Sequence, residues 1–158
     1  MLTTIYKQNR KTDNYLTPPS IIEEGLQIMR IETNNLNFKK FDLDVCCSTE
    51  NVPCSKYFKY LEQDGLKENW EKYNWCYPPS SEAKKWTQKA YGESLKGNTS
   101  LLLLQVKTDT VYWHDYILNN ENVKIYWLKK GHRFISQSGK EMKVYNKPLA
   151  LVLFRGIQ

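Results

Sequence analysis

The segment TSLLLLQV, from Thr99 to Val106, constrains the fold more than any other part of the sequence. Four consecutive leucines leave no polar face, so a strand formed here must be covered by the rest of the chain on both sides. Gly97 and Asn98 precede the run, and it is far too short to span a membrane. The segment therefore predicts a central strand of a parallel sheet.

Helix-like and strand-like segments alternate along the rest of the chain. We expect Thr17 to cap the first helix and Ser80 or Ser81 to cap the second. The predicted helices run from Ser20 to Ile31, from Ser81 to Leu95 and from Thr110 to Leu118, and the predicted strands are 41–48, 73–77, 99–106, 123–128 and 149–156. This order predicts an α/β sandwich with a mostly parallel central sheet, built as one domain from residues 1–158 with residues 1–14 as a polar arm.

The charge balance restricts the classes of partner. Lys and Arg total 23 against 17 Asp and Glu, which gives a formal charge of +6. That excess suits a polyanion such as nucleic acid, although an ordinary solvated surface can carry it as well.

The cysteines and histidines argue against a metal centre. None of the four cysteines forms a CxxC pair, and there are only two histidines. Buried, reduced thiols are the expected state of Cys46, Cys47, Cys54 and Cys76. The first residues have no apolar leader, so we expect a cytoplasmic protein without membrane contact.

Three predicted strands end in small or polar residues. Their tips read DVCCS, YPPSS and QVKTD. Because ligands of parallel sheets bind beyond the carboxyl ends of the strands, we expect these tips to form a site. Asp44 suits a charged or polyhydroxylated ligand, and it equally suits a turn. Pro78 and Pro79 make a rigid corner that, taken alone, is also compatible with a plain strand-to-helix turn.

The order of several segments resembles the small phage and prophage DNA adenine methyltransferases. The similar segments are YLTPPSII, FDLDVCCSTENVPCSKYF, QDGLKENW, YPPSS with the following KKW, LLLLQVKTDTVYWHDYIL, GHRF and KPLALVLF. The resemblance spans about Tyr15 to Arg155. It implies a Rossmann-like methyltransferase that uses S-adenosyl-L-methionine and methylates the exocyclic amine of a flipped adenine in DNA. It also implies a phage or prophage protein that acts in a bacterial host cell.

The resemblance assigns catalysis to the tetrad Tyr77, Pro78, Pro79 and Ser80, which reads NPPY in the family. An Asn side chain and a rigidly held backbone carbonyl accept the protons of the amine, and the aromatic residue stacks on the base. Here Tyr77 stands at the Asn position and Ser80 at the aromatic position. A phenol oxygen lies farther out than an amide oxygen, and a serine cannot stack. The family also usually has a proline at Gln105.

Three interpretations of the altered tetrad follow. Neighbouring rings such as Tyr73, Trp75 and Trp86 or Tyr77 itself supply stacking while backbone carbonyls activate the amine. Alternatively, the enzyme is retuned toward another substrate. In the third interpretation the fold is kept for binding nucleic acid or a protein partner, and catalysis is impaired.

Six further residues match the family's positions near the cofactor. They are Thr17 and Pro18 in the N-terminal loop, Asp42, Asp44 and Ser48 on the first strand, and Asp64, which matches an acidic residue near the adenosine or the target base. For Asp64, the sequence QDGL also suits a simple turn.

Basic residues alternate with aromatic residues late in the chain, between Lys124 and Lys147. This pattern suits phosphate contact with base stacking, or else a solvated face above ordinary core rings. Gly131 allows a tight turn that would present its neighbours to DNA. The predicted DNA-contacting residues are Lys129, Lys130, His132, Arg133, Lys140 and Lys143, and the loop from Ser136 to Asn146 is the expected source of any sequence preference.

Overall fold

The computed structural model describes residues 15–60 and 62–158, and the predicted arm at residues 1–14 lies outside them. Six strands form one sheet in the order β2-β1-β3-β4-β8-β5. Their bounds are β1 Phe41–Cys47, β2 Cys54–Lys59, β3 Tyr73–Cys76, β4 Thr99–Gln105, β5 Val123–Trp127 and β8 Leu149–Phe154. Strands β2, β1, β3 and β4 are parallel, whereas β8 is antiparallel to both β4 and β5. The prediction of a mostly parallel α/β sheet is confirmed.

The leucines of β4 alternate between two cores. Leu102 and Leu104 belong to one buried cluster, together with Trp86 of helix α2 (Ala83–Leu95). Leu101 and Leu103 belong to the other, together with the buried face of helix α1 (Pro19–Glu32). All four leucines are essentially inaccessible to solvent. At roughly 1.5–3 kcal/mol for each fully buried leucine, this strand is a principal source of stability.

The predicted helix caps are wrong. Pro18 is the N-cap of α1 and makes no side-chain capping bond, while Thr17 is buried just before it. The segment Ser80–Glu82 forms a 3-10 turn, and α2 begins after its N-cap residue Glu82. A pair of prolines explains both results, because their fixed φ already sets the direction of the chain into each helix. The third predicted helix forms mainly as a π-helix, Trp113–Leu118.

Two features of the fold are absent from the sequence prediction. Strand β2 lies at the sheet edge and is mostly half-buried or exposed, so its sequence has no continuous apolar run. Strands β6 (Arg133–Ile135) and β7 (Glu141–Val144) form a separate antiparallel hairpin. The expectation of a loop from Ser136 to Asn146 is therefore wrong, because β7 occupies part of it.

Gly65 allows the long connection between β2 and β3 to pack against the sheet. A Cβ atom at this position would lie 2.1 Å from the backbone oxygen of Val45 and 3.0 Å from the Trp86 ring. Trp70 then donates a 2.7 Å hydrogen bond from its indole to the Gly65 carbonyl. The part of this connection that carries Gly65 and Trp70 thus packs against β1.

Candidate active site

The carboxyl ends of β1, β3 and β4 lie side by side, because β3 pairs in parallel with both neighbours. Two clefts open at these ends. The β1 cleft is lined by residues that include Thr17, Asp44, Ser48, Thr49, Tyr77 and Pro79. The β4 cleft is lined by residues that include Tyr77, Pro78, Ser80, Gln105, Lys107 and Tyr145. The three strand tips therefore border two adjacent clefts, which together are the candidate composite site.

Asp44 is the buried carboxylate of the β1 cleft. It is 5% exposed, and its Oδ1 accepts a 3.1 Å hydrogen bond from the backbone N–H of Cys46. Burial raises the pKa of Asp44 to about 7, and the Cys46 hydrogen bond opposes part of that rise. Within the described residues no cation forms an ion pair with it. A ligand cation in this cleft would therefore favour the ionised form.

Three thiols around Asp44, those of Cys47, Cys54 and Cys76, stay protonated at neutral pH. Burial raises the pKa of Cys47 to about 12, and it also raises the pKa values of Cys54 and Cys76. Burial raises the pKa of Tyr57 too, the residue opposite Asp44 on β2. Asp44 is therefore the member of this cluster that titrates near neutrality.

Tyr77 forms the wall between the two clefts, since it lines both. Its ring lies 5.6 Å from the ring of Phe134 on the hairpin, at an interplanar angle of 32°. Pro78 faces the β4 cleft and Pro79 the β1 cleft. The Tyr77-Pro78-Pro79 bend is thus the point at which a ligand in one cleft would meet a ligand in the other.

The β4 cleft combines rings with polar groups. Tyr77, Tyr112 and Tyr145 contribute aromatic surface, and Lys107 adds a cation. The Nε2 group of Gln105 donates a hydrogen bond to the hydroxyl of Tyr145. A flat, polar-edged molecule such as a nucleobase matches this lining.

The hairpin closes one side of the β1 cleft. Thr49 donates a 2.6 Å hydrogen bond from Oγ1 to Gln137 Oε1, and Gln137 Nε2 donates a 3.2 Å bond to Ser48 Oγ. Leu16 and Ile135 form an antiparallel bridge nearby. The hairpin, which carries exposed basic residues, therefore also forms part of the wall of the β1 cleft.

The structure brings only some of the sequence-predicted cofactor residues to the β1 cleft. Thr17, Asp44 and Ser48 line it. Pro18 instead borders an outer groove beside the hairpin.

Asp42 and Asp64 make local contacts away from both clefts. The Asp42 carboxylate accepts a 2.9 Å hydrogen bond from the backbone N–H of Tyr73, at the amino-terminal end of β1. The Asp64 carboxylate accepts a 3.1 Å bond from Leu66 N–H and lies 3.7 Å from Lys67 Nζ, which is the turn arrangement. Neither residue lines the β1 or the β4 cleft, so their assignment to the cofactor site stays a prediction.

The predicted DNA-contacting residues lie on or beside the hairpin. Five of them are exposed cations with no ion pair among residues 15–60 and 62–158: Lys129, Lys130, Arg133, Lys140 and Lys143. His132 is half-buried, and its Nδ1 lies 3.0 Å from Ser20 Oγ. Gly131 has φ +122°, a conformation that favours glycine, but the chain makes a bend at Lys130 rather than a hydrogen-bonded tight turn.

Sequence reasoning assigns no individual role to Gln105, Tyr112, Tyr145 or Gln137, although Gln105 belongs to the predicted strand tip QVKTD. For Gln105 the available signal is its departure from the proline that is usual in the family. The other three come from segments distant in sequence, so only folding brings them to the clefts.

In the described part of the chain, no group of three or more His, Cys, Asp or Glu side chains is arranged to hold a metal ion. No helix in the same residues has both the length and the apolar character to cross a bilayer.

The six-stranded, mostly parallel sheet, with clefts at the carboxyl ends of its strands, is consistent with a Rossmann-like methyltransferase fold. A family model described as DNA N-6-adenine-methyltransferase (Dam) matches residues 6–158. A DNA N-6-adenine-methyltransferase of Haemophilus phage HP1 (strain HP1c1) is 32% identical over 156 residues, which cover 98% of this chain and 85% of the relative. The chain belongs to the DNA N-6-adenine-methyltransferase (Dam) family.

Proposed function

We propose that the protein transfers a methyl group from S-adenosyl-L-methionine to the exocyclic amine of an adenine flipped out of DNA. The cofactor would occupy the β1 cleft and the adenine the β4 cleft. The single observation that carries this proposal is that the two clefts share Tyr77 and meet at the diproline bend. The family membership supplies the reaction type.

The residues of the β1 cleft suit the cofactor. Asp44 is a buried carboxylate with one hydrogen-bond donor and no cationic partner in the described residues, so it can hold the ammonium group of the methionine part. Ser48 and Thr17 provide polar contacts at the same cleft. When bound, the cofactor supplies an electrophilic methyl group.

The residues of the β4 cleft suit the base. Pro78 and Pro79 hold the backbone at the bend without rotational freedom in φ, so a carbonyl there can accept an amine N–H in a fixed orientation. Tyr77 provides an aromatic wall, which serves the stacking role for which Ser80 has no ring. Flipping the base into this cleft also excludes water from its reacting edge.

The basic residues of the hairpin support DNA as the substrate. Lys129, Lys130, Arg133, Lys140 and Lys143 are free to neutralise phosphates, and the hairpin that they flank or form also packs on Tyr77 through Phe134. DNA held on this surface would therefore lie beside the bend.

Methyl transfer can be measured directly. The protein is incubated with S-adenosyl-L-methionine labelled in the methyl group and adenine-containing duplex DNA of random sequence. Label recovered as N6-methyladenine is the expected result. Asp44→Asn should abolish cofactor binding, whereas Glu68→Gln, an exposed carboxylate outside both clefts, should leave binding and transfer unchanged.

One observation favours a second candidate function. Tyr77 and Ser80 replace the amide and the ring of the catalytic tetrad, so the protein could be an impaired methyltransferase retained for nucleic-acid or protein binding. Cofactor binding and DNA binding without incorporation of label would reject the first function in favour of this one.

A further inference from the structure

A carboxamide lies beside the bend in the β4 cleft. Gln105 is the last residue of β4, and β3 and β4 are paired in register up to Cys76 and Leu102. Strand β3 ends at Cys76 and the chain then runs through Tyr77 and Pro78 to Pro79, whereas β4 continues from Leu102 to Gln105. Gln105 also lines the β4 cleft together with Tyr77 and Pro78. An amide side chain therefore lines the same cleft as Tyr77, the tetrad position at which the family has an asparagine.

One end of this carboxamide is fixed and the other is available. Nε2 donates to the hydroxyl of Tyr145, and no hydrogen bond to Oε1 occurs among the residues that the structure describes. Burial raises the pKa of Tyr145, with the Gln105 hydrogen bond opposing that rise, so the phenol remains neutral at physiological pH. Because a carboxamide oxygen can accept two hydrogen bonds, a donor in the cleft can be satisfied there.

We propose that Gln105 is a catalytic residue whose Oε1 accepts a hydrogen bond from the exocyclic amine of the target adenine, in place of the amide missing at Tyr77. The proposal rests on the proposed methyl transfer. An acceptor in the plane of the amine draws the N–H bond toward itself and localises the nitrogen lone pair, which is otherwise delocalised into the ring. The Tyr145 bond holds the amide in that orientation.

The chemistry balances with the methyl donor of the proposed function. The amine lone pair forms the new N–C bond as the C–S bond of the donor breaks, and that electron pair remains on sulfur. The nitrogen then loses one proton to water. Gln105 keeps a hydrogen bond to an N–H throughout and takes up no proton, since an amide oxygen is too weak a base.

Tyr145 is a positioning residue in this scheme, so its substitution distinguishes a catalytic role of Gln105 from a purely structural one. If Gln105 served only to join β4 to Tyr145, then Gln105→Leu and Tyr145→Phe would have equal effects, because each removes that bond. A catalytic Oε1 is removed only in Gln105→Leu, so Tyr145→Phe should retain much more activity.

The decisive experiment compares these variants under single turnover, with saturating labelled S-adenosyl-L-methionine and random-sequence duplex DNA. We expect Gln105→Leu to slow transfer about 100-fold or more, the cost of removing one preorganised polar group, and Tyr145→Phe to slow it about tenfold or less. Cofactor affinity, measured by titration calorimetry, and the melting temperature should stay at the wild-type values. Gln88→Leu, on the exposed face of α2, is the matched control.

Each of the following outcomes overturns the assignment. Transfer by Gln105→Leu at the wild-type rate removes the catalytic role. Equal losses of rate in Gln105→Leu and Tyr145→Phe, or a loss of cofactor binding in either, indicate a structural role instead. A wild-type protein that binds the cofactor and transfers no label rejects the proposed function itself, and that result requires no variant.

Discussion

Asp44 on β1 lies directly opposite Trp75 on the parallel strand β3. Two residues beyond Trp75 the chain reaches Tyr77 and the diproline bend, so the register of these strands sets the distance between the buried carboxylate and the bend. A shift by one residue would turn Asp44 to the other face of the sheet. The composite site therefore depends on strand pairing as much as on the residues themselves.

Asp44 should make the protein less stable as the pH rises. Its pKa is about 7 in the folded protein, against roughly 3.9 when unfolded, so the folded state binds more protons between these values. The free energy of unfolding should therefore fall as the pH rises from about 4 to about 7, and this contribution should be constant above 7. Asp44→Asn should raise the melting temperature more at pH 8 than at pH 5, as measured by circular dichroism. An equal change at both pH values would contradict the raised pKa.

Cofactor affinity should depend on pH through the same carboxylate. Below about pH 7 Asp44 is protonated, so binding an ammonium group must displace a proton and the affinity should fall by up to about tenfold per pH unit. Above roughly pH 8 an α-amino group loses its charge, so the affinity should fall again. Calorimetric titration with S-adenosyl-L-methionine across this range tests the expectation. An affinity that is constant on the acid side would show that Asp44 does not pair with the cofactor.

Restoring the family tetrad should not raise activity greatly. If Gln105 supplies the acceptor and Tyr77 the ring wall, then Tyr77→Asn with Ser80→Tyr adds an amide that is not needed and removes the ring that packs 5.6 Å from Phe134. Rates of label transfer compare the double variant with the wild type. A large gain would instead identify the natural tetrad as degenerate, in agreement with the second candidate function.

Removing three cations beside the hairpin should weaken DNA binding. Lys129, Lys130 and Arg133 changed together to Ala should lower the affinity and reduce the slope of log K against log salt by about 0.9 for each phosphate that is no longer neutralised. Binding is measured by fluorescence anisotropy at several salt concentrations. The charge-matched control changes Lys39, Lys40 and Lys72. These residues precede β1 and β3, at the amino-terminal ends of the strands and opposite the clefts. Equal effects from both triple variants would indicate unspecific attraction.

Two glycine substitutions test the packing of the fold. Gly65→Ala places a Cβ atom 2.1 Å from Val45 O, so it should destabilise the protein by roughly 1–3 kcal/mol or more. Gly92→Ala lies in α2 with no atom within 4 Å of the added carbon, so it should stabilise by roughly 0.5–1 kcal/mol. Urea unfolding measures both. A Gly65→Ala protein as stable as the wild type would refute the close approach of this connection to β1.

The candidate site was predictable where its residues are neighbours in sequence. Asp44, Ser48 and the diproline bend follow or end apolar strands, so their position at the sheet edge can be inferred from the pattern alone. The role of Asp42 could not be inferred, because it depends on the backbone N–H of Tyr73, which the strand register brings within 2.9 Å. The turn at Asp64 was recognisable in QDGL, and the assignment of Asp64 to the cofactor site stays a prediction.

The sequence by itself determined the parallel sheet, since four leucines in β4 need cover on both faces, and it determined the family through segments spread along the chain. Only the tertiary structure decided which side chains share a cleft. Gln105 and Tyr145 are forty residues apart, and Tyr145 reaches the end of β4 because it lies four residues before Leu149, which pairs with Gln105 across the antiparallel β4 and β8 strands. The physical reason is that a run of apolar residues shows in the sequence itself which segment must be buried. A hydrogen bond between distant polar residues, in contrast, forms only after the intervening chain has folded.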